Sequence, residues 1–279
     1  MGRMEGKVAL VTGAGRGQGR AHAVALAREG ADIVAVDFNG TFDHVAYSVN
    51  HPGDLAETTR LVEATSRRCL PVECDVRSVE GMRAAVARTL AELGRIDVAV
   101  ANAGIDSYAP VHEMTPEQWR DIVDVNLTGV FNTLSAVAPH MIERRRGSII
   151  GISSSVGRLG AGNNAAYCAA KWGVIGLVKS AAIDLGPHLV RVNAVCPGYI
   201  STGMIDNGLL PPLFFPHEEA PTEEMVDQVV NERYHFIPAG RLAPEEVSAA
   251  VVFLASDEAR YISGSTVDVN AGWSAAYSA

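Results

Sequence analysis

Apolar residues in this chain come in short bursts separated by stretches of helical period, and that alternation predicts the architecture. Residues 7–12 (Lys-Val-Ala-Leu-Val-Thr) form a run too brief for a helix and followed by glycines, the mark of a strand buried on both faces. Residues 18–29 then carry apolar side chains at helical spacing, Gly30 closes them, and 33–36 is a second apolar run. Strand, helix and strand within about 30 residues make a βαβ unit with a right-handed parallel crossover. The rhythm continues with strands expected at 71–73, 96–101, 148–153, 190–195 and 265–269. Helices are expected at 78–93, at 116–143 as one long or broken helix, at 164–185, which Gly186 and Pro187 stop, and at 244–255, opened by Pro244. Seven strands with helices between them predict an α/β fold, a doubly wound parallel sheet with helices on both faces.

Two stretches break the rhythm. Residues 38–54 are a polar loop, and 199–241 are longer still, carrying Pro211, Pro212, Phe214, Phe215 and Pro216 before a helix expected at 222–235. Connections of this length are commonly binding loops or lids. The chain is therefore expected to be a single domain over 1–279, with an insertion at 38–54 and a lid over the substrate at 199–241.

Bulk properties narrow the function classes. With 48% hydrophobic and 20% charged residues in 279, the chain can bury a large core. A net charge of -9 repels nucleic-acid backbones and anionic membranes, and the one basic run, Arg144 to Arg146, suits a solvated helix end. Cys69, Cys74, Cys168 and Cys196 lack C-x-x-C spacing and read as reduced thiols of a cytoplasmic protein. No H-E-x-x-H or paired Cys/His spacing points to a metal, no leader-like segment opens the chain, and no run of about 20 apolar residues spans a membrane.

The chemistry-bearing residues lie at strand ends. After the first strand comes Gly13-Ala-Gly15-Arg16-Gly17-Gln18-Gly19, a glycine turn that lets a pyrophosphate approach a helix N-terminus with no side chain in the way. Asp37 closes the second strand 18 residues beyond Gly19, where a carboxylate takes the adenosine ribose hydroxyls of a dinucleotide. The pattern is that of a Rossmann-type sheet. Arg16 offers a guanidinium to a 2′-phosphate, but Asp37 repels one at close range, so NAD is expected over NADP. Tyr167 and Lys171, four residues apart, share a helix face, and Ser154 stands thirteen residues upstream of the tyrosine. A phenol ionises at about 10 in water, and a sheltered ammonium beside it is expected to draw that value down.

With these residues in place the chain resembles the short-chain dehydrogenase/reductase family over nearly its whole length. The resemblance rests on the glycine motif, Asp37, Asp75-Val76, Asn102-Ala103-Gly104, Asn126, Ser154, Tyr167 with Lys171, and Pro197-Gly198 followed by Thr202. It implies that Asp75 and Val76 hold and flank the adenine beside Phe38. Asn102, Ala103 and Gly104 line the cofactor cleft, and Pro197, Ile200 and Thr202 touch the nicotinamide end. By the same resemblance Tyr167 is the acid/base, Ser154 binds the substrate oxygen, Lys171 also binds the nicotinamide ribose, and Asn126 holds a water that links the lysine to solvent. Gly15-Arg16-Gly17-Gln18-Gly19-Arg20 and the long 38–54 insertion are similar to the mycofactocin-associated, carveol-dehydrogenase-like group. That similarity implies tightly held NAD, a redox-peptide cofactor as electron acceptor, and a homotetramer. The expected reaction interconverts an apolar secondary alcohol, terpenoid or alicyclic, and its ketone. Tyr199, Met204, Leu209, Leu210, Phe214 and Phe215 are candidates for the substrate wall, and residues 272–277 for a subunit contact. Two other readings stand beside it: a 3-oxoacyl thioester reductase, which would favour NADPH, and a non-enzymatic NAD-binding sensor on the same fold.

Overall fold

Seven short segments become strands; the central ones, rich in valine, isoleucine and alanine, are covered above and below, while the two edge strands are only partly covered. The seven are β1 (Val8–Thr12), β2 (Asp32–Asp37), β3 (Cys69–Glu73), β4 (Val98–Ala101), β5 (Gly147–Ile152), β6 (Val190–Pro197) and β7 (Thr266–Val269). In the computed structural model, which describes residues 2–277, they form one all-parallel sheet in the order β3-β2-β1-β4-β5-β6-β7. The period of two along each strand divides the side chains between two cores. Leu10, Val34, Val36, Ala99 and Ala101 face one layer, while Ala9, Val11, Ile33, Ala35, Val98 and Val100 face the other.

The first layer consists of α3 (Val79–Leu93), α5 (Gly129–Arg144) and α6 (Ala165–Leu185), which contribute Met82, Leu134, Val137, Met141, Val174 and Val178. On the opposite face α1 (Gly17–Arg28), α2 (Asp54–Glu63) and α9 (Pro244–Ala255) contribute Leu26, Val62, Val251 and Leu254. The sheet order reverses direction at β1 and β4, so the loops after these strands part and leave a crevice at their carboxyl ends.

The helix expected over 116–143 is interrupted. A capping box between Thr115 and Gln118 starts α4 (Pro116–Val123), a π-helical turn follows at Asp124–Thr128, and α5 resumes. The wider turn has a use, because Asn126 Nδ2 donates to the carbonyls of Ile122 at 2.9 Å and Ile105 at 2.8 Å. The long 199–241 segment contains α7 (Leu210–Phe214), α8 (Glu223–Val229) and a second π turn at Val230–Tyr234. Its ends are tied together by Arg241, which pairs with Asp206, Glu223 and Asp227. The basic run at 144–146 ends α5 with Arg145 and Arg146 exposed, while Arg144 reaches Asp97 at 3.7 Å and Arg146 reaches Asp257 at 3.2 Å on the surface.

Candidate active site

The glycine turn closes on itself tightly enough to define a cradle. Gly13 has φ +65°, and a Cβ there would stand 2.8 Å from Ala103 Cα; a Cβ on Gly19 would fall 1.9 Å from the Gly13 carbonyl oxygen. Thr12 fastens this turn to the end of β4, its Oγ1 accepting from Asn102 N–H at 3.0 Å and Ala103 N–H at 3.1 Å, while Asn102 Nδ2 donates to the Thr12 carbonyl at 2.9 Å. Gln18 projects from the start of α1 into the crevice, and its Oε1 is buried without a protein partner among the described residues. Such an orphaned acceptor beside a side-chain-free turn fits a bound polar molecule.

At the tip of β2, Asp37 accepts from Gly15 N–H at 2.5 Å and from Phe38 N–H at 2.7 Å. Burial pushes its carboxyl above the usual range against the pull of those two donors, and the charge of Asp54 adds to the push. Arg16 does not stand free for a 2′-phosphate: its Nη2 donates to the Ser48 carbonyl and lies against Gly203. Asp75 is held by Arg77 at 2.7 Å, and the same guanidinium sits 4.6 Å over Phe42 and 5.7 Å over Phe38.

Gly13, Arg16, Gln18, Gly19, Asp37, Phe38, Asp75, Asn102 and Ala103 line one cavity of about 790 Å³, together with Val76, Gly104, Ser154, Tyr167, Lys171, Pro197, Ile200 and Thr202. Asn126 stands one layer behind the wall. It is fully buried, its Oδ1 has no partner among the described residues, and a Cβ added to Gly104 would be 2.7 Å from that oxygen and 3.4 Å from Lys171 Nζ, so the two groups crowd the same point.

Lys171 Nζ donates to the Ile152 carbonyl at 3.0 Å and lies 5.2 Å from the centroid of the Tyr167 ring. Burial pushes its pKa down to about 8, with Asp106 opposing. The Tyr167 phenol is pushed up, chiefly by burial and then by the charges of Asp106 and Tyr47, while a hydrogen bond with Ser154 pulls the other way. The expected depression of the tyrosine is therefore outweighed in this geometry, because desolvation of a phenolate and a neighbouring carboxylate exceed what one lysine offsets.

The apolar end of the cavity comes from the 199–241 segment. Tyr199, Met204, Leu210, Phe214 and Phe215 line it, but Leu209 does not. Trp273, expected at a subunit contact, is buried in its own chain instead: it stacks on Tyr199 at 5.6 Å and 15° and meets Tyr234 at 4.8 Å. Sequence reasoning also missed Tyr47, Asp106 and Asn164. Tyr47 travels from the 38–54 insertion across the crevice to accept from Asp106 N–H at 3.0 Å.

A parallel sheet with a glycine turn at its switch point, an acid ending β2 and a Ser–Tyr–Lys wall defines a nucleotide-linked oxidoreductase. The short chain dehydrogenase family model matches residues 7–208, and the chain belongs to that family. It is 44% identical to a carveol dehydrogenase of Mycobacterium avium solved in complex with NAD, over 98% of this chain and 99% of that one, with a TM-score of 0.95. The (-)-trans-carveol dehydrogenase of Rhodococcus erythropolis is 40% identical over 274 residues, covering 98% of this chain and 99% of the relative. A 3-oxoacyl acyl-carrier-protein reductase of Thermotoga maritima is 35% identical over 271 residues, 97% of this chain and 98% of its own.

Proposed function

We propose that the protein is an NAD-dependent dehydrogenase that interconverts an apolar secondary alcohol, terpenoid or alicyclic and carveol-like, and its ketone. The observation that carries this reading is the convergence of Ser154, Tyr167 and Lys171 on one wall of a cavity that runs from the glycine turn and Asp37 to an aromatic, aliphatic end. Gly13, Gly17, Gly19 and Gln18 hold the diphosphate, Asp37 the adenosine ribose, and Phe38, Asp75 and Val76 the adenine. Asn102 to Gly104, Pro197, Ile200 and Thr202 hold the nicotinamide half. When bound, NAD supplies the hydride acceptor. The chain's own residues do the rest: Tyr167 takes the hydroxyl proton, Ser154 holds the substrate oxygen as it becomes a carbonyl, and the Lys171 ammonium stabilises the phenolate and reaches the nicotinamide ribose. Asn126, with its free Oδ1 beside the lysine, passes the proton outward through a water.

Asp37 and Asp54, side by side, oppose a 2′-phosphate, which supports NAD over NADP and weighs against an NADPH-using 3-oxoacyl thioester reductase. A non-enzymatic sensor would not need Ser154, Asn126, Tyr167 and Lys171 together. The chain acts as one domain in which the 38–54 insertion, anchored through Arg16 and Tyr47, slows cofactor exchange, and 199–241 covers the substrate. Slow exchange is consistent with electron transfer to a redox-peptide acceptor. Exposed Trp119, Phe131, Trp172 and Ile183 on α4, α5 and α6 suit the subunit contacts of a homotetramer. The four free cysteines suit the cytoplasm, and among the described residues no helix is long and apolar enough to cross a membrane. Carveol oxidation followed at 340 nm tests the reading: kcat/KM with NAD is expected to exceed that with NADP by about 100-fold, as a like-charge cost of several kcal/mol implies. Equal use of NADP, or no oxidation of carveol or any alicyclic secondary alcohol, would refute it.

A further inference from the structure

Beside the Ser154–Tyr167–Lys171 wall, the cavity contains a second polar cluster to which none of the steps above gives a role in holding substrate. Asp106, in the loop after β4, is only 4% exposed, and its carboxyl lines the cavity among Tyr47, Tyr108, Tyr167 and Tyr199. Its Oδ1 accepts from Ser107 N–H at 2.8 Å and its Oδ2 from Asn164 Nδ2 at 3.2 Å, and the Tyr108 hydroxyl donates to the same carboxyl. Asn164 is 7% exposed and lines the same cavity, and its Oδ1 is buried with no partner among the described residues. The cluster is firmly built: Ala109 N–H donates to the Asn163 carbonyl at 2.8 Å, and a parallel bridge joins Ala109 to Asn164, so the loop is pinned to the start of α6.

A purely structural staple accounts for the Asn164 Nδ2–Asp106 bond but not for the unpartnered amide oxygen of Asn164. A buried acceptor left unpaired is costly, and such groups in folded proteins are otherwise satisfied. Here Asn164 and Asp106 stand together in the wall of a ligand-sized space whose other walls include the apolar or aromatic Leu159, Leu210, Phe214 and Trp273. The acceptor still without a donor is Asn164 Oδ1, beside a carboxyl that Ser107, Asn164 Nδ2 and the Tyr108 hydroxyl already contact.

The geometry points to a second polar subsite in which Asp106 and Asn164 Oδ1 receive a hydroxyl group of the substrate remote from the reacting carbon, so that the preferred substrate is an alicyclic diol or hydroxy ketone. This inference rests on the secondary-alcohol reading for the identity of the oxidised group. The carboxyl, pushed up to about 7 by burial, gains a hydrogen-bond donor when such a hydroxyl arrives, which favours its ionised form.

The test compares cyclohexanol with cyclohexane-1,2-, 1,3- and 1,4-diol, by initial rates with NAD and by calorimetric titration into NAD-loaded protein. In the unaltered protein at least one diol is expected to exceed cyclohexanol by about tenfold or more in both kcat/KM and affinity, the worth of one sheltered hydrogen bond. In Asp106→Ala and in Asn164→Ala that ratio falls to within about threefold of unity. Asp106→Asn, which still accepts from Ser107 N–H, serves if the alanine variant does not fold. The inference is overturned if no diol surpasses cyclohexanol in binding, or if the preference survives in both variants. A diol preference in calorimetry that the substitutions abolish, with no turnover of any alcohol, upholds the subsite and sinks the dehydrogenase reading instead.

Discussion

Replacing Lys171 with methionine keeps the volume of a buried stem and removes its charge, which isolates what the ammonium does for Tyr167. The ammonium lies 5.2 Å from the centre of the tyrosine ring. At an effective dielectric constant of about 20, unit charges at that separation attract by about 3 kcal/mol, equivalent to about a 200-fold change in the phenolate fraction at fixed pH. The sign with pH follows from the lysine itself. Its pKa is lowered to about 8, so the cation is present below that value and lost as pH rises through it. Alcohol oxidation by the unaltered protein is therefore expected to exceed that of Lys171→Met by about 200-fold in kcat/KM at pH 7, and the ratio is expected to shrink above pH 8. Saturating NAD removes the contribution of weakened ribose binding. Steady-state rates from pH 6.5 to 9.5 measure both features. A ratio under about fivefold at pH 7, or one that stays constant across the range, would contradict the role given to the lysine.

Two further predictions concern stability and cofactor release. His22 is wholly buried, with Nδ1 2.8 Å from Ser248 Oγ and Nε2 unpartnered among the described residues, and burial lowers its pKa to about 3. The unfolded chain binds the proton first, so the stability due to neutral His22 is complete above about pH 6.5 and drains away as pH falls towards 3, by about 3 kcal/mol at pH 4. Urea midpoints for His22→Gln should decline less steeply from pH 7 to 4 than those of the unaltered protein, and parallel declines would count against the assignment. Arg16→Ala releases the glycine turn from the Ser48 carbonyl and from Gly203. Displacement of bound NADH, read by fluorescence, is expected to quicken about tenfold, as loss of one charge-assisted hydrogen bond implies; an unchanged rate would remove the insertion from control of exchange.

The central strands were legible because each is a short apolar run that suits a doubly covered strand, the edge strands at 69–73 and 266–269 from their place in the alternation, and the glycine turn and the Tyr167–Lys171 pair because both are local in sequence. The break at 124–128 was less so: its apolar period continues, and only the polar Asn126 at a core position marks the π turn. Asp106, Asn164, Tyr47 and Trp273 meet from four separate segments, and no spacing along the chain foretells that meeting. A signal was present for one of them, since Asp106 follows the apolar Ile105 just past a strand end, where an isolated acid has to be paired or put to use. The anchoring of Arg16 was hidden for a related reason. Its partner, the Ser48 carbonyl, is a backbone atom of an irregular loop, which residue types do not reveal.

In the proposed mechanism the Tyr167 phenolate oxygen accepts the proton of an alcohol held beside a separately bound NAD. Tyr167→Phe removes one oxygen atom from the cavity wall and leaves the glycine turn, Asp37 and the aromatic end untouched. Oxidation of carveol by this variant, measured beside its affinity for NADH by fluorescence titration, is the decisive comparison. The account predicts an NADH affinity within about threefold of the unaltered protein and a fall in kcat of about 1,000-fold or more, within the range for loss of a positioned acid/base. Turnover that persists within tenfold, with NADH bound as before, would contradict it.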